Sequence, residues 1–159
     1  MSALRIDAEP AHKTRFLQPG QLVVSSEPMQ VTTILGSCVA VCLWDMKLRA
    51  GGVNHFMLPL PGSGGASSPR FGNIAMAELL DRLRAIGARL PYIQARVIGG
   101  ACMFEQMQSS THLGQKNVDL AIDFLMRYGI EIVQVETGGN RGRKLIYKTD
   151  EGSAWLVSI

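Results

Sequence analysis

The sequence contains few cysteines and no pattern among them that indicates a disulfide scaffold or a metal site. Its 159 residues include three cysteines (Cys38, Cys42 and Cys102) and three histidines. An odd, widely spaced set of cysteines does not form a disulfide framework, and the histidines do not combine with them in the ligand spacing of a zinc site. We therefore expect free thiols, no metal, and a reducing, cytoplasmic setting.

Long apolar runs are also missing. No stretch of 18 apolar residues occurs, so the sequence predicts no transmembrane helix and no membrane insertion. The first twelve residues carry Arg5, Asp7, Glu9 and Pro10 and have no apolar h-region, so they do not resemble a secretory signal. We interpret residues 1–18 as a flexible leader and residues 19–159 as a single domain, which is long enough to bury a substantial core.

Aromatic residues make up only 6% of the chain and charged residues 18%, with a formal net charge of +3. Part of this charge lies in one short cluster, Arg141, Arg143 and Lys144. A nucleic-acid surface requires a broader basic stripe with interleaved aromatic residues, so we expect no nucleic-acid partner. An acidic protein partner is electrostatically compatible with this charge.

Hydrophobic periodicity predicts a mixture of strands and helices. The order is strands, helix, strand, helix, strands, which indicates an α+β or layered α/β domain. Asn73 and Asn117 are the expected N-caps of the two helices, and Gly87 and Gly129 their expected stops. The predicted strands span 22–25, 31–35, 39–44, 50–58, 92–98, 130–135, 144–148 and 154–159, and the predicted helices span 73–86 and 117–128.

Cys38 and His55 are the candidate catalytic pair. If the hairpin between the third and fourth strands turns between Met46 and Lys47, Cys38 faces His55 directly across the ladder, where Cβ atoms lie ~4.5–5.5 Å apart. An imidazole at that distance can take the proton of a thiol. Gly36-Ser37 precedes the cysteine, and a turn there can leave its backbone N–H free for an oxyanion.

A structural interpretation of the same residues stays open at this point. Cysteine is among the most buried residue types, and a cysteine on a strand is usually a small hydrophobic residue. We interpret Cys42 and Cys102 in this way. A single histidine on a strand is also more often structural than catalytic. The strand residues Thr32 and Thr33 are equivalent on sequence grounds alone.

Five blocks of sequence resemble the signature of the CheD family, the chemoreceptor glutamine deamidases of bacterial chemotaxis. They occur in the family's order and with near-family spacing, and the resemblance covers roughly residues 21–159. The blocks are residues 35–43 (LGSCVAVCL), 51–59 (GGVNHFMLP), 99–104 (GGACMF), 113–117 (LGQKN) and 138–143 (GGNRGR).

The resemblance assigns roles to individual residues. It places the nucleophile at Cys38, the histidine at His55 and the third, orienting residue at Thr32. Gly36, Ser37 and Asn117 fall in matching blocks, which implies substrate binding or structural support. Lys116 stands where the family has an arginine, and lysine lacks the bidentate fork of arginine.

The same resemblance implies a fold and a reaction. The expected fold is that of the cytotoxic necrotizing factor deamidases, with β-sheets packed together and helices outside. The expected reaction converts glutamine side chains on the cytoplasmic helices of a chemoreceptor to glutamate through a thioester, without metal or organic cofactor. Glutamate methyl esters on the same helices are a second expected substrate, and a CheC-type phosphatase is an expected partner.

Two other functions compete with this one. The chain could be a non-catalytic adaptor that binds chemoreceptors or a CheC-type phosphatase, although an adaptor needs neither the cysteine nor the histidine. A papain-like peptidase is the weaker alternative, because the sequence offers no extended substrate cleft. A depressed pKa of the Cys38 thiol is expected of a histidine-paired nucleophile and not of an adaptor. The loop 59–69, rich in glycine, serine and proline, follows the histidine and is a candidate lid.

Overall fold

The chain forms two β-sheets that pack face to face, with two α-helices covering the outer face of one of them. The computed structural model describes residues 12–62, 67–103 and 112–159. The helices are α1 (Gly72–Ala85) and α2 (Leu113–Arg127), and a short 3-10 helix spans Leu90–Tyr92. The strands are β1 (Lys13–Phe16), β2 (Leu22–Ser25), β3 (Met29–Leu35), β4 (Val39–Asp45), β5 (Ala50–Asn54), β6 (Ile93–Gly99), β7 (Glu131–Thr137), β8 (Arg143–Lys148) and β9 (Ser153–Ser158). This layered α+β arrangement confirms the predicted fold class.

The two sheets differ in strand number and in what covers them. One has four strands in the order β1-β3-β8-β9, and the other has five in the order β2-β5-β4-β6-β7. The β1–β3 and β6–β7 pairs are parallel, and the other pairs are antiparallel. Both helices pack on the five-stranded sheet, so its central strand β4 is buried on both faces.

Two apolar cores hold the layers together. The first lies between the helices and the five-stranded sheet, and the second lies between the two sheets. Alternation along the strands sends every second side chain into the second core. In β3 the inward residues are Val31, Thr33 and Leu35, all at most 1% exposed, while Thr32 and Ile34 point away from it.

The ordered domain begins earlier in the chain than the sequence suggested. Residues Lys13–Phe16 pair with β3, and Leu17 is fully buried between the sheets. The expected leader therefore extends too far, because residues 13–17 belong to the domain. Residues 1–11 of that leader lie outside the described residues. A strand with all four residues exposed gives no alternation from which it could have been predicted.

Neither predicted helix cap is correct. Helix α1 begins after Phe71, which makes no side-chain capping hydrogen bond, and Asn73 lies inside the helix. Helix α2 is capped by His112, whose Nδ1 accepts a hydrogen bond from the Gln115 N–H. Asn117 therefore lies in the body of α2, fully buried. By contrast, Gly87 and Gly129 follow the helices with φ of 111° and 66°, which confirms them as helix stops.

Two expectations fall partly outside the described residues, and a third is too long. Residues 63–66 of the candidate lid are not described, and neither is Phe104 of the 99–104 block. The strand predicted over 50–58 ends at Asn54 in the described structure. Within the described ranges, no helix has the length and apolar character needed to span a membrane.

Candidate active site

The β4–β5 hairpin sets the relative positions of Cys38 and His55, and its register differs from the predicted one. Asp45 pairs with Ala50 around a four-residue loop. The Asp45 carboxylate accepts hydrogen bonds from the backbone N–H groups of Lys47 and Leu48, which fixes that loop. The turn is thus centred one residue later than expected, and the predicted direct opposition of Cys38 and His55 is wrong.

The shift nevertheless leaves both residues on one face of the sheet. Cys42 pairs with Val53, and Val39 bridges to Phe56. This register puts Ala40 opposite His55. Cys38 precedes Ala40 by two residues and therefore shares its face. The pair is diagonal rather than direct, a relationship in which Cα atoms lie ~7–8 Å apart and Cβ atoms somewhat closer.

Thr33 is the residue that contacts the imidazole. Its Oγ1 lies 2.7 Å from His55 Nδ1, and this contact bridges the two sheets. Thr32, to which the family spacing assigned the orienting role, pairs with Ile146 and Phe16 on the other face of β3. The structure therefore does not bring Thr32 to His55, because neighbouring residues of a strand point to opposite faces.

The hydrogen bonds of Thr33 determine the tautomer of His55. Thr33 Oγ1 also lies 2.8 Å from the backbone carbonyl oxygen of Leu17. A carbonyl can only accept, and a hydroxyl has one proton to donate, so Thr33 donates to Leu17. The Thr33 oxygen then accepts from His55 Nδ1–H. This leaves the proton on Nδ1 and a free lone pair on Nε2, the tautomer that a general base requires.

Burial of His55 keeps its ring neutral. The residue is 1% exposed, and desolvation lowers its pKa to about 4. Its Nε2 is buried and has no hydrogen-bond partner in the described part of the chain. An unpaired buried nitrogen is costly in a structural role. The geometry thus leaves one basic atom available beside the face that carries Cys38.

Residues 36–38 connect β3 to β4 and form a loop whose carbonyl groups are all engaged. Gly36 O accepts from the Ala101 N–H, and Cys38 O accepts from the Gly100 N–H, each at 2.9 Å. Ser37 O accepts from Asn117 Nδ2 at 3.1 Å. Among the described residues, the N–H groups of Ser37 and Cys38 donate to no backbone oxygen, and the Cys38 N–H interacts with its own sulfur. Two adjacent N–H groups that are not engaged by a backbone oxygen, beside Cys38, have the composition of an oxyanion hole.

Cys38 is partly exposed, whereas Cys42 is buried in the inter-sheet core. Burial raises the pKa of the Cys38 thiol, and a hydrogen bond from its own backbone N–H opposes that effect. This direction is opposite to the depressed pKa that the sequence led us to expect. With the pKa of His55 lowered as well, both groups are neutral near pH 7, and the resting pair is a thiol and an imidazole.

Asn117 connects helix α2 to the loop that contains Cys38 and to the segment that follows His55. Its Nδ2 donates to Ser37 O at 3.1 Å and to Met57 O at 3.0 Å. Ser37 precedes the nucleophile, and Met57 follows the histidine by two residues. Asn117 is completely buried, and its Oδ1 has no partner among the described residues. Lys116 is exposed and lies one residue away, on the wall of a groove along α2.

The comparisons with known proteins agree with the family resemblance. The family model described as CheD chemotactic sensory transduction matches residues 57–158. A probable chemoreceptor glutamine deamidase CheD of Trichlorobacter lovleyi is 44% identical over 94% of this chain and 92% of its own length. A second, from Anaeromyxobacter dehalogenans, is 43% identical over 91% and 84% of the two chains.

The chain belongs to the CheD family. A further relative, the probable chemoreceptor glutamine deamidase CheD of Sulfurimonas denitrificans, is 36% identical over 93% of this chain and 96% of its own length. A crystal structure of a Neisseria meningitidis protein of family DUF152 superposes with a TM-score of 0.49 at 11% identity, covering 81% of this chain and 65% of that one. A superposition of this quality supports no inference about the site.

A small cavity adjoins the nucleophile loop of this CheD-family chain. Its volume is about 170 Å³. The residues that line it include Ser37, Cys102 and His112. A larger groove of about 620 Å³ runs along the outer side of α2 and is not lined by Cys38 or His55. The described residues contain no group of three or more His, Cys, Asp or Glu side chains suited to holding a metal ion.

Sequence reasoning missed Thr33, although a signal for it was present. The run Val31, Thr33, Leu35 alternates with Thr32 and Ile34, so the apolar residues on either side of Thr33 place it on the buried face. Counting residues back from the cysteine selected Thr32 instead. Alternation is the better guide inside a strand because it follows directly from backbone geometry.

Gly36, which the sequence suggested as a sharp-turn position before Cys38, does not have a positive φ. A Cβ at this position would meet Met103 Cγ at an ordinary contact distance of 3.9 Å.

Proposed function

We propose that this chain is a chemoreceptor glutamine deamidase in which Cys38 is the nucleophile, His55 the general base and Thr33 the residue that orients the imidazole. Membership of the CheD family and the names of its relatives support the activity. The observation that carries the assignment of residues is the state of His55. Its Nδ1 proton is fixed by Thr33, while Nε2 is buried on the face shared with Cys38 and has no hydrogen-bond partner among the described residues.

The first step forms a tetrahedral intermediate that leads to a thioester. His55 Nε2 takes the proton of the Cys38 thiol as the sulfur attacks the carboxamide carbon of a glutamine side chain. The carbonyl oxygen becomes an oxyanion, which the N–H groups of Ser37 and Cys38 stabilise. His55 is now an imidazolium, and its Nδ1–H remains hydrogen-bonded to the Thr33 oxygen.

Collapse of this intermediate releases ammonia. The C–N bond breaks, and His55 Nε2 returns its proton to the departing nitrogen, which leaves as NH₃. Water then attacks the thioester, with His55 Nε2 as the base that removes its proton. The C–S bond breaks, the sulfur regains a proton and the product is glutamate. A glutamate methyl ester reacts by the same steps, with methanol as the leaving group.

The substrate glutamines of this proposal lie on the cytoplasmic helices of a chemoreceptor, which places the chain in the cytoplasm. The relatives are named for action on chemoreceptors, and this supports the substrate class. A CheC-type phosphatase is a proposed regulatory partner that rests on the family resemblance alone. The non-catalytic adaptor is disfavoured because an adaptor has no need for an unpaired basic nitrogen buried beside a thiol.

Peptide mass spectrometry of a recombinant chemoreceptor cytoplasmic fragment tests the proposal. We expect a gain of about one mass unit at specific glutamines, the change from amide to acid. Cys38→Ala and His55→Asn should abolish it, and Cys42→Ala is the matched cysteine control that should retain it. Co-purification with the receptor fragment without any mass change would favour the adaptor. Digestion of casein would favour a peptidase.

A further inference from the structure

Asn117 of helix α2 joins the loop that contains Cys38 to the segment that follows His55. Its single nitrogen donates one proton to Ser37 O and the other to Met57 O, at 3.1 and 3.0 Å. Both partners are carbonyl groups, which only accept, so the amide cannot be rotated by 180° without placing oxygen against oxygen. The orientation of this side chain is therefore fixed by its surroundings.

The position of Asn117 in the helix excludes its ordinary role. Asparagine is favoured at helix N-caps and is a poor residue in helix interiors. Here His112 caps α2, and Asn117 is an interior residue with no exposed surface. Its Oδ1 is buried without a partner among the described residues, and an unpaired buried carbonyl oxygen is destabilising. An asparagine at an interior position that is unfavourable for both reasons points to a requirement at the site.

Helix α2 packs closely against Gly100 and Ala101, which in turn bind the loop of residues 36–38, the nucleophile loop of the proposed site. A Cβ on Gly114 would collide with the backbone oxygens of Gly100 and Ala101. The N–H groups of these two residues in turn bind the carbonyls of Cys38 and Gly36. Asn117 lies one turn beyond Gly114 on the helix. The close contact of Gly114 with the backbone of Gly100 and Ala101 therefore fixes the distance of Asn117 from the loop.

The contact with Ser37 O fixes the direction of a peptide group. The carbonyl of Ser37 and the N–H of Cys38 belong to one planar unit and point in opposite directions. Fixing the carbonyl toward Asn117 therefore directs the Cys38 N–H away from the helix. The contact with Met57 O ties that peptide unit to the segment that carries His55, directly after β5.

We infer that Asn117 is a positioning residue that aligns the oxyanion-binding N–H of Cys38 with the base His55. This inference rests on the proposed function. Loss of Asn117 should impair reactions that pass through a tetrahedral oxyanion and should spare direct alkylation of the thiol, which forms no oxyanion. A residue that only stabilised the fold would not separate these two reactions.

The test compares the full-length chain with Asn117→Ala and Asn117→Asp, using p-nitrophenyl acetate for acylation and iodoacetamide for alkylation of Cys38. We expect acylation to fall by about 100-fold in both variants at neutral pH, the usual loss for an oxyanion donor. Alkylation should change by less than about threefold, which corresponds to under 1 kcal/mol. Asp119→Asn, an exposed exchange on the same helix, is the matched control and should leave both rates unchanged.

The aspartate variant adds a pH signature. A carboxylate at position 117 faces two carbonyl oxygens, whereas a protonated carboxyl can donate to one of them. Acylation by Asn117→Asp should therefore recover as the pH falls, relative to the wild type. Equal losses of acylation and alkylation, or no loss of either, would overturn the inference. Absence of acylation in the wild type would instead contradict the proposed function, and thermal unfolding of each variant identifies a general loss of fold.

Discussion

Thr33 Oγ1 accepts a hydrogen bond from His55 Nδ1 across the gap between the two sheets, at 2.7 Å. This contact predicts different results for two adjacent threonines. Thr33→Val removes the hydroxyl and leaves Nδ1–H and Leu17 O unpaired, so kcat should fall by about tenfold or more, as expected for 1.4 kcal/mol or more of lost stabilisation. Thr32→Val, on the outer face, should change kcat by less than about twofold. Deamidation of a receptor fragment measures both, and equal effects would contradict the assignment.

Acid should destabilise the fold through His55. The unfolded residue binds a proton near pH 6.5, whereas in the folded chain desolvation lowers the pKa of His55 to about 4. Between these values the unfolded state binds more protons, so stability falls as the pH decreases. His55→Asn lacks this titration and should lose less. At about pH 4.5 the difference relative to pH 7 should reach about 2 kcal/mol, measured by urea unfolding of both proteins. Parallel stability curves would refute this account.

The Cys38 thiol should be protonated at neutral pH. Burial raises its pKa above the ordinary value of 9.0 and also lowers that of His55, so the ion pair is not the resting state. The ultraviolet thiolate absorbance of the wild type minus that of Cys38→Ala should therefore be absent at pH 7 and rise only in alkali. A thiolate signal at pH 7 that disappears in His55→Asn would instead establish a preformed ion pair.

Gly99 should not tolerate a side chain. Its φ is 112°, and a Cβ would collide with the Cys38 carbonyl oxygen. We expect Gly99→Ala to unfold more easily by roughly 2–4 kcal/mol, combining backbone strain with displacement of the nucleophile loop. Gly138→Ala is the control, because Gly138 also has a positive φ of 80° but open space around its Cβ. It should show only the strain, about 1–2 kcal/mol. A similar decrease in the free energy of unfolding in both variants would show that the contact between the new Cβ at position 99 and the Cys38 carbonyl oxygen does not destabilise the fold.

Much of this site could be predicted because the chemistry depends on residue types. A thiol and an imidazole on adjacent strands of one hairpin are visible in the order of Cys38 and His55. Whether Cys38 and His55 share a face depends only on whether their offset in the ladder is even, and moving the centre of the turn by one whole residue does not change this. The turn was misplaced by one residue, which shifts the register by two and leaves both side chains on one face. The mixed sheets and the helix stops at Gly87 and Gly129 were predictable from periodicity and backbone conformation for the same local reasons.

The sequence by itself thus determined the candidate pair, Cys38 and His55, and the layered fold. The tertiary structure decided how these groups are connected. The packing of two sheets chose Thr33 over Thr32, since only the inward residue of β3 reaches the histidine. Docking of α2 brought Asn117 to Ser37, 80 residues away in the chain. Burial between the sheets made the resting pair neutral. Alternation along β3 indicates that Thr33 points inward, but its contact with His55, the docking of Asn117 and the burial of the pair are not encoded in local pattern, because each depends on distant segments excluding water from the same small volume.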